Sequence, residues 1–131
     1  MAYRVLSDDL TYANMNTDLP KVCFLHGWGG SGKDFSKIDS NFEYITFDLP
    51  GFGKSVPFQI SFSPKQYAEY LNKFIPDSVE IIVGHSFGGR VAVHLSKLKE
   101  YKKIVIIAAP LIRSKKSSNS FSIYKVFKFL N

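Results

Sequence analysis

Four short, mostly apolar segments set the possible folds of this chain. They occupy residues 21–25, 43–47, 79–83 and 103–108. Each runs into a turn. The first ends in His26-Gly27-Trp28-Gly29-Gly30, the second in Asp48-Leu49-Pro50-Gly51-Phe52-Gly53, the third in Gly84–Gly89 and the fourth before Pro110. Runs of this length without polar alternation read as strands buried on both faces. Helical segments are expected between them. Residues 34–40 form a weak one. A second runs from Ser63 to about Phe74, with Tyr67, Tyr70, Leu71 and Phe74 on one face and Pro76 ending it. Its start carries a cap, Ser63-Pro64-Lys65-Gln66, in which Gln66 sits where a capping-box partner belongs. A third follows the Gly84–Gly89 turn over residues 90–99. Alternating strand and helix predicts an α/β fold with a parallel core sheet covered on both faces. Residues 3–6 and 10–13 read as two further strands, an antiparallel hairpin turned at Ser7-Asp8-Asp9.

The 131 residues suffice for one domain with a buried core. The longest apolar run, 104–112, is too short to span a membrane and is interrupted by Pro110. The N-terminal residues show no basic start followed by an apolar stretch, and the single cysteine, Cys23, has no internal partner. A cytoplasmic setting is the expectation. The net charge of +6 is uneven: Arg113, Lys115, Lys116, Lys125 and Lys128 lie in the last 21 residues, which contain no acid. The rest of the chain is nearly neutral, which argues against a nucleic-acid-binding face.

The segment Gly84-His85-Ser86-Phe87-Gly88 matches G-x-S-x-G and stands between a predicted strand and a predicted helix. That context gives the pattern chemical meaning. A serine on a strained turn holds its hydroxyl clear of the backbone, and Gly84 and Gly88 let neighbouring segments approach. The helix beginning there aims free N–H groups at the same point, Phe87 N–H among them. The glycine loop after the first run, which includes Gly27, offers the Trp28 N–H as a second donor.

Taken together, HGWGG at 26–30, DLPGFGKS at 48–55 and GHSFGG at 84–89 resemble the α/β-hydrolase family over residues 21–112. Within that family the pattern looks most like the small carboxylesterases and the C–C bond hydrolases. The resemblance implies a nucleophile at Ser86 after the fifth strand and an oxyanion loop at Trp28 after the third. It also implies a structural turn at Asp48, an ester or other acyl substrate, and no cofactor or metal. It divides the chain into a hydrolase core at 1–112 and the start of a lid at 113–131. There Ile123, Tyr124, Phe127 and Leu130 would share one face of a helix over 121–130, more a lid helix than a membrane-surface one.

The family's mechanism also needs an acid and a histidine after the nucleophile. After Ser86 the chain offers only Glu100 and His94. His94 would lie eight residues up a helix, about 12 Å away. His85 should point across the turn, and the family uses the His26 position structurally. The expectation is therefore an inactive N-terminal portion of a hydrolase, its sheet ending after about the sixth strand. Residues 103–108 would then be a bare edge open to self-association. Two other readings stay open. Gly27–Asp34 nearly spells the phosphate loop G-x-x-x-x-G-K-[ST], with Lys33 on the phosphates but Asp34 where a hydroxyl belongs, and Asp48-Leu49-Pro50-Gly51 resembles a GTPase turn. A non-catalytic binding protein on half a hydrolase fold is the other.

Overall fold

The computed structural model describes residues 2–6, 11–38, 41–111 and 127–128. Strands β1 (Ala2–Leu6), β2 (Thr11–Met15), β3 (Val22–Leu25), β4 (Tyr44–Phe47), β5 (Ile81–His85), β6 (Lys103–Ile107) and β7 (Phe127–Lys128) form one sheet in the order β1-β2-β4-β3-β5-β6-β7. The central four, β4-β3-β5-β6, are parallel. Strands β1 and β2 pair antiparallel and continue antiparallel onto β4. The expected hairpin and parallel core are both present; the hairpin turn at 7–9 lies outside the described residues.

The central strands owe their position to their composition. Every residue of β3 and β4 is buried. On β5 and β6 burial alternates: Ile82, Gly84, Ile104 and Ile106 are covered, whereas Ile81, Val83 and Val105 are half-covered. The covered side lies beneath helices α1 (Pro64–Leu71) and α2 (Phe87–Leu95). Their Tyr67, Ala68, Leu71, Val91, Ala92 and Leu95 complete a core with Cys23, Leu25, Ile45 and Phe47. The opposite side holds a smaller cluster, Val22, Phe24 and Tyr44, against Phe35 and Ile38. A sheet covered on both faces was the expectation. Among the described residues only one face carries α-helices, and Ile107 is 42% exposed at the edge of the other.

The helix boundaries differ from the sequence pattern for identifiable reasons. The α1 cap is as predicted: Ser63 Oγ accepts from Gln66 N–H at 3.3 Å, and Gln66 Oε1 accepts from Ser63 N–H at 2.9 Å. The helix closes at Leu71 rather than Phe74, because the N–H groups of Phe74 and Ile75 both turn back to the Leu71 carbonyl. The weak helix at 34–40 is a single 3₁₀ turn, Gly32–Phe35. Helix α2 begins at Phe87, three residues before the expected start, because Gly88 and Gly89 serve close packing and not chain termination. A Cβ at Gly88 would strike the Leu25 carbonyl and lie 2.6 Å from the His26 carbonyl oxygen. One at Gly89 would lie 2.7 Å from Ala109 Cβ.

The tail is also different. Phe127 and Lys128, assigned above to a lid helix over 121–130, form β7 and pair antiparallel with Val105 and Ile104. The open N–H and C=O groups of β6 offer these two residues backbone hydrogen bonds, which outweigh a local apolar periodicity of 3.6. The edge at 103–108 is thus paired over two residues, not bare, and the sheet has a seventh strand. The remainder of that predicted helix lies outside the described residues. No helix among the described residues is long and apolar enough to cross a membrane.

The Gly88 contact is with backbone on both sides, so no side chain can move aside. Gly88→Ala is expected to destabilise the protein by about 3 kcal/mol, the upper end for overpacking. Urea unfolding checks this; a midpoint within error of wild type would show that the helix can lift off β3 at little cost.

Candidate active site

Strand β5 ends at His85 and helix α2 begins at Phe87, leaving one residue, Ser86, to reverse the chain. Its backbone stands at φ 50°, ψ −113°. A non-glycine residue there carries about 1–3 kcal/mol of strain. Ser86 is held in place from both sides. Its N–H donates to the Ile107 carbonyl at 2.9 Å, and its carbonyl accepts from Gly89 N–H at 3.0 Å and Arg90 N–H at 3.3 Å. Gly84 permits the reversal, since a Cβ there would meet the Gly88 carbonyl and lie 2.6 Å from Gly89 Cα. The other non-glycine residue at positive φ among the described residues is Ala108, at φ 50°, where β6 turns beside the elbow.

The glycine loop after β3 arrives at the same place. A Cβ on Gly27 would lie 3.2 Å from Ser86 Cβ. The Trp28 ring meets the Phe87 ring edge-on at a centroid distance of 5.3 Å. Neither the Trp28 nor the Phe87 backbone N–H has an acceptor among the described residues. An open depression of about 390 Å³ is lined by Trp28, Ser86, Phe87, Arg90 and Pro110. The residues singled out from the sequence, Gly27, Trp28, Gly84, Ser86, Phe87 and Gly88, are therefore neighbours. Arg90 and Pro110 are additions. Arg90 stands one helical turn beyond Ser86, a spacing that places both on one side of α2.

None of the three histidines touches the Ser86 hydroxyl, which has no hydrogen-bond partner among the described residues. His26 is buried and fully used. Leu49 N–H donates to its Nε2 at 2.9 Å, so that nitrogen carries the lone pair, and Nδ1–H donates to the Gly27 carbonyl at 2.7 Å. Burial holds its pKa below the ordinary value, outweighing the Gly27 carbonyl and the charges of Asp48 and Asp34. It is a neutral strut between two loops. His94 lies two turns along α2, its pKa also lowered by burial and by Lys97, Lys65 and Arg90. His85 lays its ring beside Gly27, with Nδ1 3.0 Å from the position of a Cβ there.

Asp48 is likewise saturated. The buried carboxylate accepts from Gly32 N–H at 2.8 Å through Oδ1 and from Lys54 N–H at 2.9 Å through Oδ2. Its carbonyl accepts from Ser55 Oγ–H at 2.6 Å, and Ser55 Oγ accepts from Tyr12 N–H at 2.9 Å. This overturns the phosphate-loop reading of Gly27–Asp34. The Gly32 N–H that would face a phosphate is bound to Asp48, and the loop enters a four-residue 3₁₀ turn instead of an α-helix. Among the described residues no group of three His, Cys, Asp or Glu is placed to hold a metal. Cys23 is buried, and desolvation raises its thiol pKa well above the ordinary value, so it is inert toward this chemistry.

Two outcomes follow from these struts. Asp48→Ala leaves two loop N–H groups without their charged acceptor and should cost about 3 kcal/mol, with Asp48→Asn costing roughly half because one oxygen remains. Urea unfolding of both variants measures this. His26 has a folded-state pKa below its unfolded value, so the unfolded chain takes up its proton first. Its contribution to stability is present above pH 6.5 and is lost as pH falls through and below that value. Melting temperatures between pH 7.5 and 5.5 should fall more steeply for wild type than for His26→Gln; parallel profiles would show that His26 is not protected from protonation.

A model described as the alpha/beta hydrolase family matches residues 24–127. Pimeloyl-[acyl-carrier protein] methyl ester esterase of Pseudoalteromonas atlantica is 34% identical over 98 residues, covering 68% of this chain and 37% of that protein. A Mycoplasma genitalium protein designated esterase/lipase 2 is 32% identical over 114 residues, covering 79% of this chain and 42% of that one. Among solved structures, a Mycobacterium tuberculosis esterase superposes with a TM-score of 0.73 at 23% identity, covering 81% of this chain and 40% of its own. The thioesterase domain of the curacin biosynthetic pathway also gives 0.73, at 20% identity, covering 92% and 48%. The chain spans less than half the length of each of these proteins. With a family match over most of its length and the serine elbow, glycine loop and parallel sheet in place, the chain belongs to the alpha/beta hydrolase family.

Proposed function

We propose that this chain supplies the nucleophile and the oxyanion donors of a serine esterase. The observation that carries the reading is the Ser86 elbow, strained and exposed to the depression between Trp28 and Phe87. Ser86 Oγ attacks the acyl carbon of an ester and forms a C–O bond, while its proton passes to a base. The former carbonyl oxygen takes up negative charge. The Trp28 and Phe87 amides, free of internal acceptors, donate to it. Collapse of the tetrahedral species breaks the bond to the alcohol, which leaves with a proton. Water then releases the acyl group from Ser86 and restores the hydroxyl. Relatives named as esterases favour an ester over other acyl substrates.

None of the three histidines is placed as the base: His85, with its ring beside Gly27, makes no hydrogen bond to Ser86. His26 is saturated by Leu49 N–H and the Gly27 carbonyl, and His94 is two helical turns from Ser86. This chain spans less than half of its esterase relatives, and a histidine and an orienting acid for Ser86 would be sought in what the remainder of those relatives corresponds to. Residues 1–131 alone therefore bind but scarcely turn over esters, since a serine hydroxyl without a base is a weak nucleophile.

The reading is tested on two proteins. In a protein that joins this chain to a segment supplying the base, a fluorophosphonate should label Ser86; Ser86→Ala should abolish labelling, while Trp28→Ala should retain most of it because the donor is the backbone amide. Labelling that survives Ser86→Ala overturns the nucleophile. Residues 1–131 alone should hydrolyse p-nitrophenyl acetate no faster than their own Ser86→Ala variant. A Ser86-dependent turnover within about 10-fold of a typical enzyme's 10 s⁻¹ would place the base inside this chain.

A further inference from the structure

A second depression, of about 340 Å³, opens on the other side of Trp28, between that ring and the loop following β4. Phe52, Pro57, Phe58, Phe62 and Tyr67 supply its walls, and none of its lining residues is charged. The rings form a continuous series, edge-to-face apart from one stacked pair. Phe58 stacks on Phe62 at 3.8 Å and meets Tyr67 at 5.1 Å. Tyr67 meets Phe87 at 5.1 Å, Phe87 meets Trp28 at 5.3 Å, and Trp28 meets Phe52 at 4.9 Å. The Tyr67 hydroxyl is already spent, donating to the Pro50 carbonyl at 2.9 Å, so this residue presents its ring and not a polar handle. Trp28 is 70% exposed and Ile60, at the rim, 68%. Large apolar side chains left bare around a concave surface mark a binding surface.

We propose that this groove is the subsite for an uncharged, apolar chain attached to the reacting carbonyl, with Trp28 as the wall shared between it and the Ser86 depression. The inference rests on the esterase reading for the identity of that carbonyl. It rests on the groove alone for the chemistry of the chain. A charged chain would enter without a partner and lose its hydration. A neutral alkyl or aryl chain exchanges water for ring faces that already brace one another, so little side-chain freedom is lost on binding. Trp28 lines both the groove and the Ser86 depression, so a carbonyl beside Ser86 places its chain next to the groove.

Trp28 is the sole tryptophan of the chain, so its emission reports directly on the shared wall. The experiment titrates residues 1–131 with methyl ketones from 2-butanone to 2-decanone, which carry the carbonyl but have no ester bond to break. Affinity read from Trp28 emission should rise about three- to fourfold per added methylene until the groove is filled. Ile60→Asp, at the exposed rim, should weaken 2-decanone at least tenfold and leave 2-butanone and the circular dichroism unchanged. Phe58→Ala removes a wall ring and should shorten the chain length at which affinity levels off. Affinity independent of chain length, or the same length dependence in both variants as in wild type, overturns the proposal. Ser86→Ala should keep the full length dependence. A failed nucleophile assignment would therefore appear in fluorophosphonate labelling with the ketone series intact, and a failed groove would appear in the ketone series with labelling intact.

Discussion

The site depends on one contact, the approach of the first turn of α2 to the carbonyl ends of β3. Gly88 has no Cβ, and the space a Cβ would need is taken by the Leu25 and His26 carbonyls. Everything else near Ser86 follows from that distance. It brings the 26–30 loop against the elbow, so that Gly27 lies under Ser86 and His85 and the Trp28 ring meets Phe87. It also directs the N-terminus of the helix, with its unpaired N–H groups, into the space the loop encloses. Two segments nearly sixty residues apart thereby meet, and the Trp28 and Phe87 amides in them have no acceptor among the described residues. A larger residue at position 88 would push the two segments apart by about the width of a methyl group.

Around that contact the loops are braced by polar groups and not by apolar packing. Turns at the ends of buried strands leave N–H groups that cannot reach water, and each must find an acceptor. His26 provides one for Leu49, Asp48 provides one each for Gly32 and Lys54, and Ser55 provides one for Tyr12. These are residue types that also perform catalysis. Their saturation separates the two roles: a lone pair that already accepts a loop N–H cannot take a proton from serine. The direction of the His26 pKa shift agrees, because a base for serine must be able to hold the proton it accepts, and burial opposes that charge more strongly than Asp48 favours it.

Much of this arrangement is legible in the residues themselves. Four apolar runs predict the parallel strands, Ser63-Pro64-Lys65-Gln66 predicts the α1 cap, and G-x-S-x-G predicts the reversal at Ser86. What the residues obscure has physical causes. The close approach at Gly88 is legible, but Gly88 and Gly89 read as part of a turn although they are already helical residues of α2, and the packing of Gly89 on Ala109 shows only once β6 is placed beside it. Phe127 fits the apolar stripe of a helix and Lys128 its polar side, but the hydrogen bonds open on β6 decide their conformation, and those belong to another part of the chain. Likewise, no period in residues 50–62 foretells the groove. Its rings come from the loop after β4, from α1 and from the 26–30 loop, and only their convergence makes a surface.

The strain at Ser86 can be weighed against what maintains it. A serine at φ 50°, ψ −113° costs about 1–3 kcal/mol relative to a relaxed conformation. Relaxation would require the elbow to open, which would release the Ser86 N–H from Ile107 and tilt the start of α2 away from the sheet. Val91 and Leu95 on that helix are completely buried. Burying each such side chain contributes about 1.5–3 kcal/mol, so the two together match or exceed the strain even before Ala92 is counted. The helix therefore holds the serine in a conformation the serine would not choose, and does so with side chains on the face of α2 turned toward the sheet. The position of the hydroxyl is thus set by the hydrophobic core, and changes that loosen the packing of α2 should reach Ser86 without touching any residue in its depression.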